Sequence, residues 1–295
     1  MKIMWEKIVA FFMAVVALFV GLLANRNNAP ITALENRAYG THTRQSLDLY
    51  LPAQTGDTAL VVFIHGGAWV SGDKSAYTET VKTFCKDYNV AAATVNYRYL
   101  AADTSMEDLV EDIGAALMQI KQLAFEHGVI LTKCMLGGHS AGGHLSMLYA
   151  YSRAKESPVP IAFVFNQSGP ADLTDDGFFA ADSAFDRRTV EQLLSWAVGS
   201  AVTLENKTEL AAKIRDISPL YYVGTATVPT IICHGEKDSI VPYSNALALD
   251  AKLTAAGVKH DFVSYPNSGH DLSADPESAA LANNLLYSYA KEFLF

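Results

Sequence analysis

Residues 59–64 (ALVVFI) and 90–95 (VAAATV) are short unbroken apolar runs, the pattern of strands covered on both faces of a sheet. Residues 46–51 (SLDLYL) instead alternate apolar and polar positions, as a half-buried strand does. Further short strand patterns occupy 132–136, 161–165, 230–233 and 261–265. Between them the apolar spacing lengthens to that of a helix. Residues 76–88 (AYTETVKTFCKDY) carry it, and in 106–125 Leu109, Ile113, Leu117, Ile120 and Leu123 recur on one stripe. An amphipathic run over 277–293 closes the chain. Strands alternating with helices predict an α/β fold, a mostly parallel central sheet with helices on both faces. Residues 171–227 lack clear alternation; helical fragments at 190–198 and 210–214 predict a small cap-like insertion over the sheet edge, before the strand at 230–233.

The first thirty residues follow a different rule. Lys2 and Lys7 precede a stretch with no charge, residues 8–24 (IVAFFMAVVALFVGLLA), in the manner of a secretory signal or a short membrane anchor. Leu22 is bulky where cleavage after Ala24 would want a small residue, so a retained anchor stays open beside a cleaved signal. Lysines on the N-terminal side would leave that end in the cytoplasm and place the remainder outside, secreted, periplasmic or anchored. Residues 25–30 (NRNNAP) read as a polar linker. The expected division is therefore a signal or anchor with its linker over 1–30 and one domain over 31–295, with membrane contact confined to 1–24.

Composition narrows the function classes. Half of the 295 residues are apolar and 18 % are charged, enough for a large core and unlike disordered or coiled-coil chains. Net charge is 22 − 31 = −9, which repels phosphate backbones and argues against a nucleic-acid partner. Cys85, Cys134 and Cys233 are too few and too far apart for a disulfide scaffold or a zinc cluster, and no His or Cys pair has ligand spacing; no metal or cofactor is expected.

Three strand ends carry chemistry. Gly137-Gly138-His139-Ser140-Ala141-Gly142-Gly143 follows the strand at 132–136 and precedes a helical run at 144–150. It contains G-x-S-x-G, in which a serine stands on a tight strand-to-helix turn and its neighbours must be small because strand and helix approach closely. His65-Gly66-Gly67-Ala68-Trp69 ends the strand at 59–64. Acyl transfer builds negative charge on a carbonyl oxygen, so Gly67, Ala68 and Ala141 are the expected backbone N–H donors of an oxyanion hole. His65 is expected to brace that loop. His234-Gly235-Glu236-Lys237-Asp238 and Ser268-Gly269-His270 follow two further strands, at the same carboxyl edge. A serine hydroxyl needs a base, a neutral imidazole is suited to it, and a carboxylate fixes its tautomer. Ser140, Asp238 and His270 are the expected nucleophile, acid and base, with Glu236 and Asp172 as other possible carboxylates. His42 and His127 read as surface residues, and His139 and His144 flank the serine. Trp69, Tyr97 and Tyr99 are expected near the substrate. Asn166-Gln167-Ser168 and Asn206-Lys207-Thr208 match glycosylation acceptors.

HGGAW, Asn96-Tyr97-Arg98, GGHSAGG, Ser218-Pro219-Leu220, HGEKDSIVP and the NSGH segment together resemble the α/β-hydrolase superfamily, in the branch of carboxylesterases related to hormone-sensitive lipase and to bacterial feruloyl and acetylxylan esterases. The resemblance covers residues 46–295. It implies the α/β-hydrolase fold, the Ser140, Asp238, His270 triad, and cleavage of small-acyl carboxylic esters through an acyl-enzyme. Two departures stand out: Ala68 replaces the third glycine of the lipase-type HGGG, and Tyr99-Leu100-Ala101-Ala102-Asp103 replaces a proline-rich stretch. HGG-x-W followed by Ser71-Gly72-Asp73-Lys74-Ser75 also resembles kynurenine formamidases. An arylformamidase and a serine peptidase would use the same triad, and a non-catalytic binding module on this fold is the reading from another class.

Overall fold

Side chains along β3 (Gly56–Ile64) point alternately to two separate cores: Leu60, Val62 and Ile64 to one, Ala59, Val61 and Phe63 to the other. An apolar run without polar interruption therefore needs helices on both sides, and it has them. The computed structural model describes residues 30–295 except 181, 182, 204 and 207. In chain order the elements are β1 (Ile31–Ala38), β2 (Ser46–Pro52), β3, α1 (Thr78–Tyr88), β4 (Ala91–Val95), α2 (Met106–Glu126), β5 (Val129–His139), α3 (Ala141–Ser152) and β6 (Ile161–Gln167). There follow α4 (Arg187–Val198), α5 (Ala211–Asp216), β7 (Thr230–Gly235), α6 (Tyr243–Ala255), β8 (His260–Tyr265) and α7 (Pro276–Tyr289).

The sheet order is β1-β2-β4-β3-β5-β6-β7-β8; β1, β2 and β4 pair antiparallel and all the others parallel. One core holds the apolar faces of α2, α3 and α6, the other those of α1 and α7. The stripe expected on 106–125 is the buried face of α2, started by a capping box in which Ser105 and Asp108 satisfy each other's backbone N–H groups. Cys85, Cys134 and Cys233 are unbonded and buried. Within 171–227 lie a 3-10 turn (Asp176–Phe179), α4, α5 and a second 3-10 turn (Pro219–Tyr222).

Two elements have no counterpart in the sequence reading. In β1 only Leu34 is buried, and its register slips between Leu34 and Arg37 around Asn36 (φ 53°). A bulged edge strand loses the alternation by which strands are recognised. In α6, Leu247 is exposed while Leu249 and Leu253 are buried, so a two-residue spacing masks a helix. The closing run also divides, α7 ending at Tyr289 and a π-helical turn occupying Ala290–Leu294. Among the described residues no helix is long and apolar enough to cross a membrane. The stretch at 8–24 lies outside the described residues.

Candidate active site

Parallel strands all end at one edge of a sheet, so β3, β5, β7 and β8 deliver residues 65–69, Ser140, Asp238 and His270 to the same rim. Between β5 and α3 the chain reverses in one residue. Ser140 has φ 57° and ψ −125°, a conformation that non-glycine residues rarely adopt. The close approach behind it explains the flanking glycines. A Cβ on Gly142 would lie 1.9 Å from the Ile64 carbonyl oxygen, and one on Gly138 would lie 2.4 Å from it. Ser140 N–H donates to Gln167 O at 2.8 Å, and Ser140 O accepts from His144 N–H at 3.0 Å. The turn is thus held from both sides.

The loops after β7 and β8 are laced together. Glu236 N–H donates to Tyr265 O at 3.0 Å and Lys237 N–H to Ser268 O at 3.1 Å. That lacing brings Asp238 Oδ2 to 2.7 Å from His270 Nδ1. The other oxygen, Oδ1, accepts the N–H groups of Ile240 (2.8 Å) and Val241 (2.9 Å). Buried His234 adds Nε2 at 3.3 Å from Oδ2. Burial pushes the Asp238 pKa up, but the His270 charge and the hydrogen bonds from His234 and His270 outweigh it and hold the carboxyl well below the usual range. An ionised carboxylate only accepts, so the proton between them is on His270 Nδ1, and Nε2 is the nitrogen left to face Ser140.

His139, the residue before Ser140, touches His270. The His139 ring lies 4.6 Å from the His270 ring, and its Nε2–H donates to His270 O at 2.7 Å. No hydrogen bond joins the Ser140 hydroxyl to His270 among the described residues; in unliganded sites such bonds commonly tighten only when substrate binds. Asp172 and Glu236 are engaged elsewhere, Asp172 with Thr174 (2.6 Å) and Glu236 with the Ser264 hydroxyl (2.6 Å). Neither bonds to His270.

Residues 67–69 run through three successive positive φ angles: 124° at Gly67, 49° at Ala68 and 60° at Trp69. Val70 N–H and the Ser71 hydroxyl both donate to Gly67 O, at 3.1 and 2.8 Å. The N–H groups of Gly67, Ala68 and Ala141 have no intramolecular partner among the described residues, although Ala141 is 1 % exposed. Buried amides are nearly always paired, so the unpartnered N–H of buried Ala141, with those of half-buried Gly67 and Ala68, is free to donate to an added acceptor.

Behind the loop stands a buried polar frame. Arg44 donates to His65 Nε2 (3.0 Å), Asn96 Oδ1 (3.1 Å) and Tyr97 O (3.3 Å). A guanidinium cannot accept, so His65 is the Nδ1–H tautomer, bonded to Gly66 O at 2.8 Å. Burial, reinforced by the Arg44 charge, lowers the His65 pKa to about 4. Both ring nitrogens are occupied, which removes His65 as a base. Tyr97 is a correction to the substrate-contact expectation: it is 0 % exposed, stacks on His65 at 4.4 Å and donates its hydroxyl to His65 O at 3.0 Å. It supports the loop from inside. Tyr99 is half-buried under the Arg44 guanidinium, 4.1 Å from its ring centre, with its hydroxyl donated to Gly72 O. Trp69 is half-buried, its indole N–H 3.3 Å from His144 Nδ1. Asn166 is buried and accepts from Gly169 N–H, which excludes it as a glycosylation site. Arg44 escaped the sequence reading because it sits in no motif and its partners lie far along the chain, so only its contact to His65 reveals it; His234 stood in a quoted motif, but its contact with Asp238 is shown by the structure.

A family described as BD-FAE matches residues 47–253, from β2 into α6, including Ser140 and Asp238. The chain belongs to the BD-FAE family. The dienelactone hydrolase family matches residues 214–294, which hold Asp238 and His270. This BD-FAE member is 32 % identical over 118 residues to the carboxylic ester hydrolase LipN of Mycobacterium tuberculosis (38 % of this chain, 31 % of LipN). It is 26 % identical over 243 residues to the probable isoprenylcysteine alpha-carbonyl methylesterase ICMEL2 of Arabidopsis thaliana (79 % and 56 %). The chain thus spans about half or less of the length of these two relatives. Carboxylesterase NlhH of Mycobacterium tuberculosis is 26 % identical over 253 residues (82 % and 76 %). Of solved structures, a truncated carbohydrate esterase from gut microbiota matches with TM-score 0.73 at 20 % identity, covering 91 % of this chain and 99 % of that one. A bacterial heroin esterase matches with TM-score 0.71 at 22 % identity (94 % and 89 %). These likenesses and the sheet order establish the α/β-hydrolase fold of this BD-FAE chain.

Proposed function

We propose that the chain is a serine hydrolase that cleaves carboxylic esters of small acyl groups through an acyl-enzyme. The observation that carries this reading is the 2.7 Å bond between Asp238 and His270, on the rim where strained Ser140 stands. In the first step Ser140 Oγ attacks the ester carbonyl while His270 Nε2 takes its proton, and Asp238 stabilises the imidazolium that forms. The carbonyl oxygen becomes an oxyanion, and the free N–H groups of Gly67, Ala68 and Ala141 are the donors for it; a single such donor contributes roughly 3–4 kcal/mol to the transition state. His270 then returns the proton to the departing alcohol. In the second step His270 takes a proton from water, the hydroxide adds to the acyl carbon, and Ser140 leaves reprotonated. The names of LipN, NlhH and the methylesterase support an ester as the substrate.

A fluorophosphonate probe tests the nucleophile and p-nitrophenyl acetate tests the reaction. Covalent labelling at Ser140 together with ester turnover is the expected result. Folded protein that takes no label leaves a binding module. Labelling with turnover of N-formylkynurenine and none of the ester would move the assignment to a formamidase.

A further inference from the structure

A loop that offers oxyanion donors at 67 and 68 must be held at a fixed distance from Ser140, and what holds it there is a separate question from the chemistry. Trp69 makes the question sharp. It is a bulky residue at φ 60°, in the left-handed region that such side chains disfavour, so its surroundings must over-determine it. Its carbonyl accepts Leu100 N–H at 3.0 Å, and its indole N–H points at His144 Nδ1, 3.3 Å away, with the two rings edge-on at 80° and 5.0 Å between centres.

His144 is built to accept that bond. It is 0 % exposed, one turn along α3 from Ser140, and its own N–H donates to Ser140 O at 3.0 Å. Its Nε2 lies 2.8 Å from Ile217 O. A carbonyl oxygen only accepts, so Nε2 carries the proton and Nδ1 offers a lone pair. Burial lowers the pKa of the ring to about 4, which keeps that lone pair available at neutral pH. The imidazole therefore joins three separate segments: the loop after β3, the helix that begins at Ser140, and Ile217 at the end of α5 in the segment 171–227.

We propose that His144 is a positioning residue for acyl transfer: by accepting the Trp69 indole N–H while fixed to Ser140 and Ile217, it sets the distance between the oxyanion donors and the nucleophile. The proposal rests on the esterase reading for its effect on rate. Trp69 is expected among the residues near the substrate, and it then acts through its N–H as well as through its ring face.

Three substitutions separate the tie from packing. Trp69→Phe keeps an aromatic ring and removes the donor. His144→Gln keeps an amide N–H able to donate to Ile217 O and takes the acceptor away from the Nδ1 position. His144→Asn places an oxygen near the Nδ1 position. With p-nitrophenyl acetate, Trp69→Phe and His144→Gln are each expected to lower kcat about 5- to 20-fold, the value of one lost hydrogen bond, with KM within about twofold. Affinity for an alkylboronic acid, which mimics the tetrahedral adduct, should fall by the same factor. The double variant should lose no more than either single one, and His144→Asn should recover at least half of the loss. Wild-type kcat in Trp69→Phe, or a double variant that loses the product of the two factors, would overturn the proposal, as would a change confined to KM. Exchange of the Trp69 indole N–H, followed by NMR, is independent of catalysis: it should be slow in the wild-type chain and at least about tenfold faster in His144→Gln. Equal exchange in both would remove the tie whether or not the chain is an esterase. Slow exchange in a chain that takes no fluorophosphonate would retain the tie and retire the esterase reading.

Discussion

Acidification from about pH 6.5 to about pH 5 should remove roughly 5 kcal/mol of folding stability, because three imidazoles are buried neutral. Burial is the main cause at each. It lowers His65 to about 4, with the Arg44 charge assisting; His139 to about 3, with the His270 charge assisting; and His144 to about 4. In the unfolded chain each ring titrates near 6.5. Between those limits the unfolded state binds more protons than the folded one, so stability is complete above the unfolded value and is lost as the pH falls toward the folded values. A group at 6.5 unfolded and at about 4 folded loses about 1.6 kcal/mol between about pH 6.5 and about pH 5, and three such groups lose about 5 kcal/mol. Carboxylates such as Asp238, held low in the fold, are ionised in both states over most of this window, and their contribution goes only at lower pH. Urea unfolding followed by circular dichroism at half-unit pH steps, at constant ionic strength, measures the loss. His144→Gln should reduce it by about a third. A total change below about 1 kcal/mol would refute the reasoning, since the imidazoles would then titrate alike folded and unfolded.

Ser140→Ala is expected to lower kcat by at least about a thousandfold with little change in Tm, read by ester turnover and thermal unfolding. Asp238→Asn should cost about 10⁴-fold in kcat, because an amide no longer favours the Nδ1–H tautomer of His270; unchanged turnover would exclude Asp238 as the orienting group. Ala68→Gly should relieve the strain of φ 49° and stabilise the chain by about 1 kcal/mol, a rise of roughly 2–3 °C in Tm with activity retained. Tyr97→Phe should lose about 1 kcal/mol of stability with its bond to His65 O and leave KM unchanged; a changed KM would return Tyr97 to the substrate.

Elements buried on two faces declared themselves in the chain. The unbroken apolar runs at 59–64 and 90–95 became β3 and β4, and the stripe from Leu109 to Leu123 became the buried face of α2. Burial on two faces, or along one helical stripe, leaves a periodic trace because each position answers to the same demand. β1 and α6 left none, since most of β1 faces water and α6 exposes Leu247 two residues before buried Leu249. The spacing of small residues around Ser140 was likewise readable, being forced by Gly138 and Gly142 against a single carbonyl, that of Ile64.

Local sequence could name a serine turn, a glycine loop and two strand-end motifs, because each is a short-range constraint on backbone shape or residue size. It pointed to Asp238 as the partner of His270, but it could not say that His65 spends both nitrogens on a frame, that Tyr97 stands inside that frame, or that His139 touches His270 across 131 residues of chain. Those assignments depend on which lone pair meets which proton, and eight histidines of one composition separate into different tautomers and different jobs only when strands far apart in sequence end side by side.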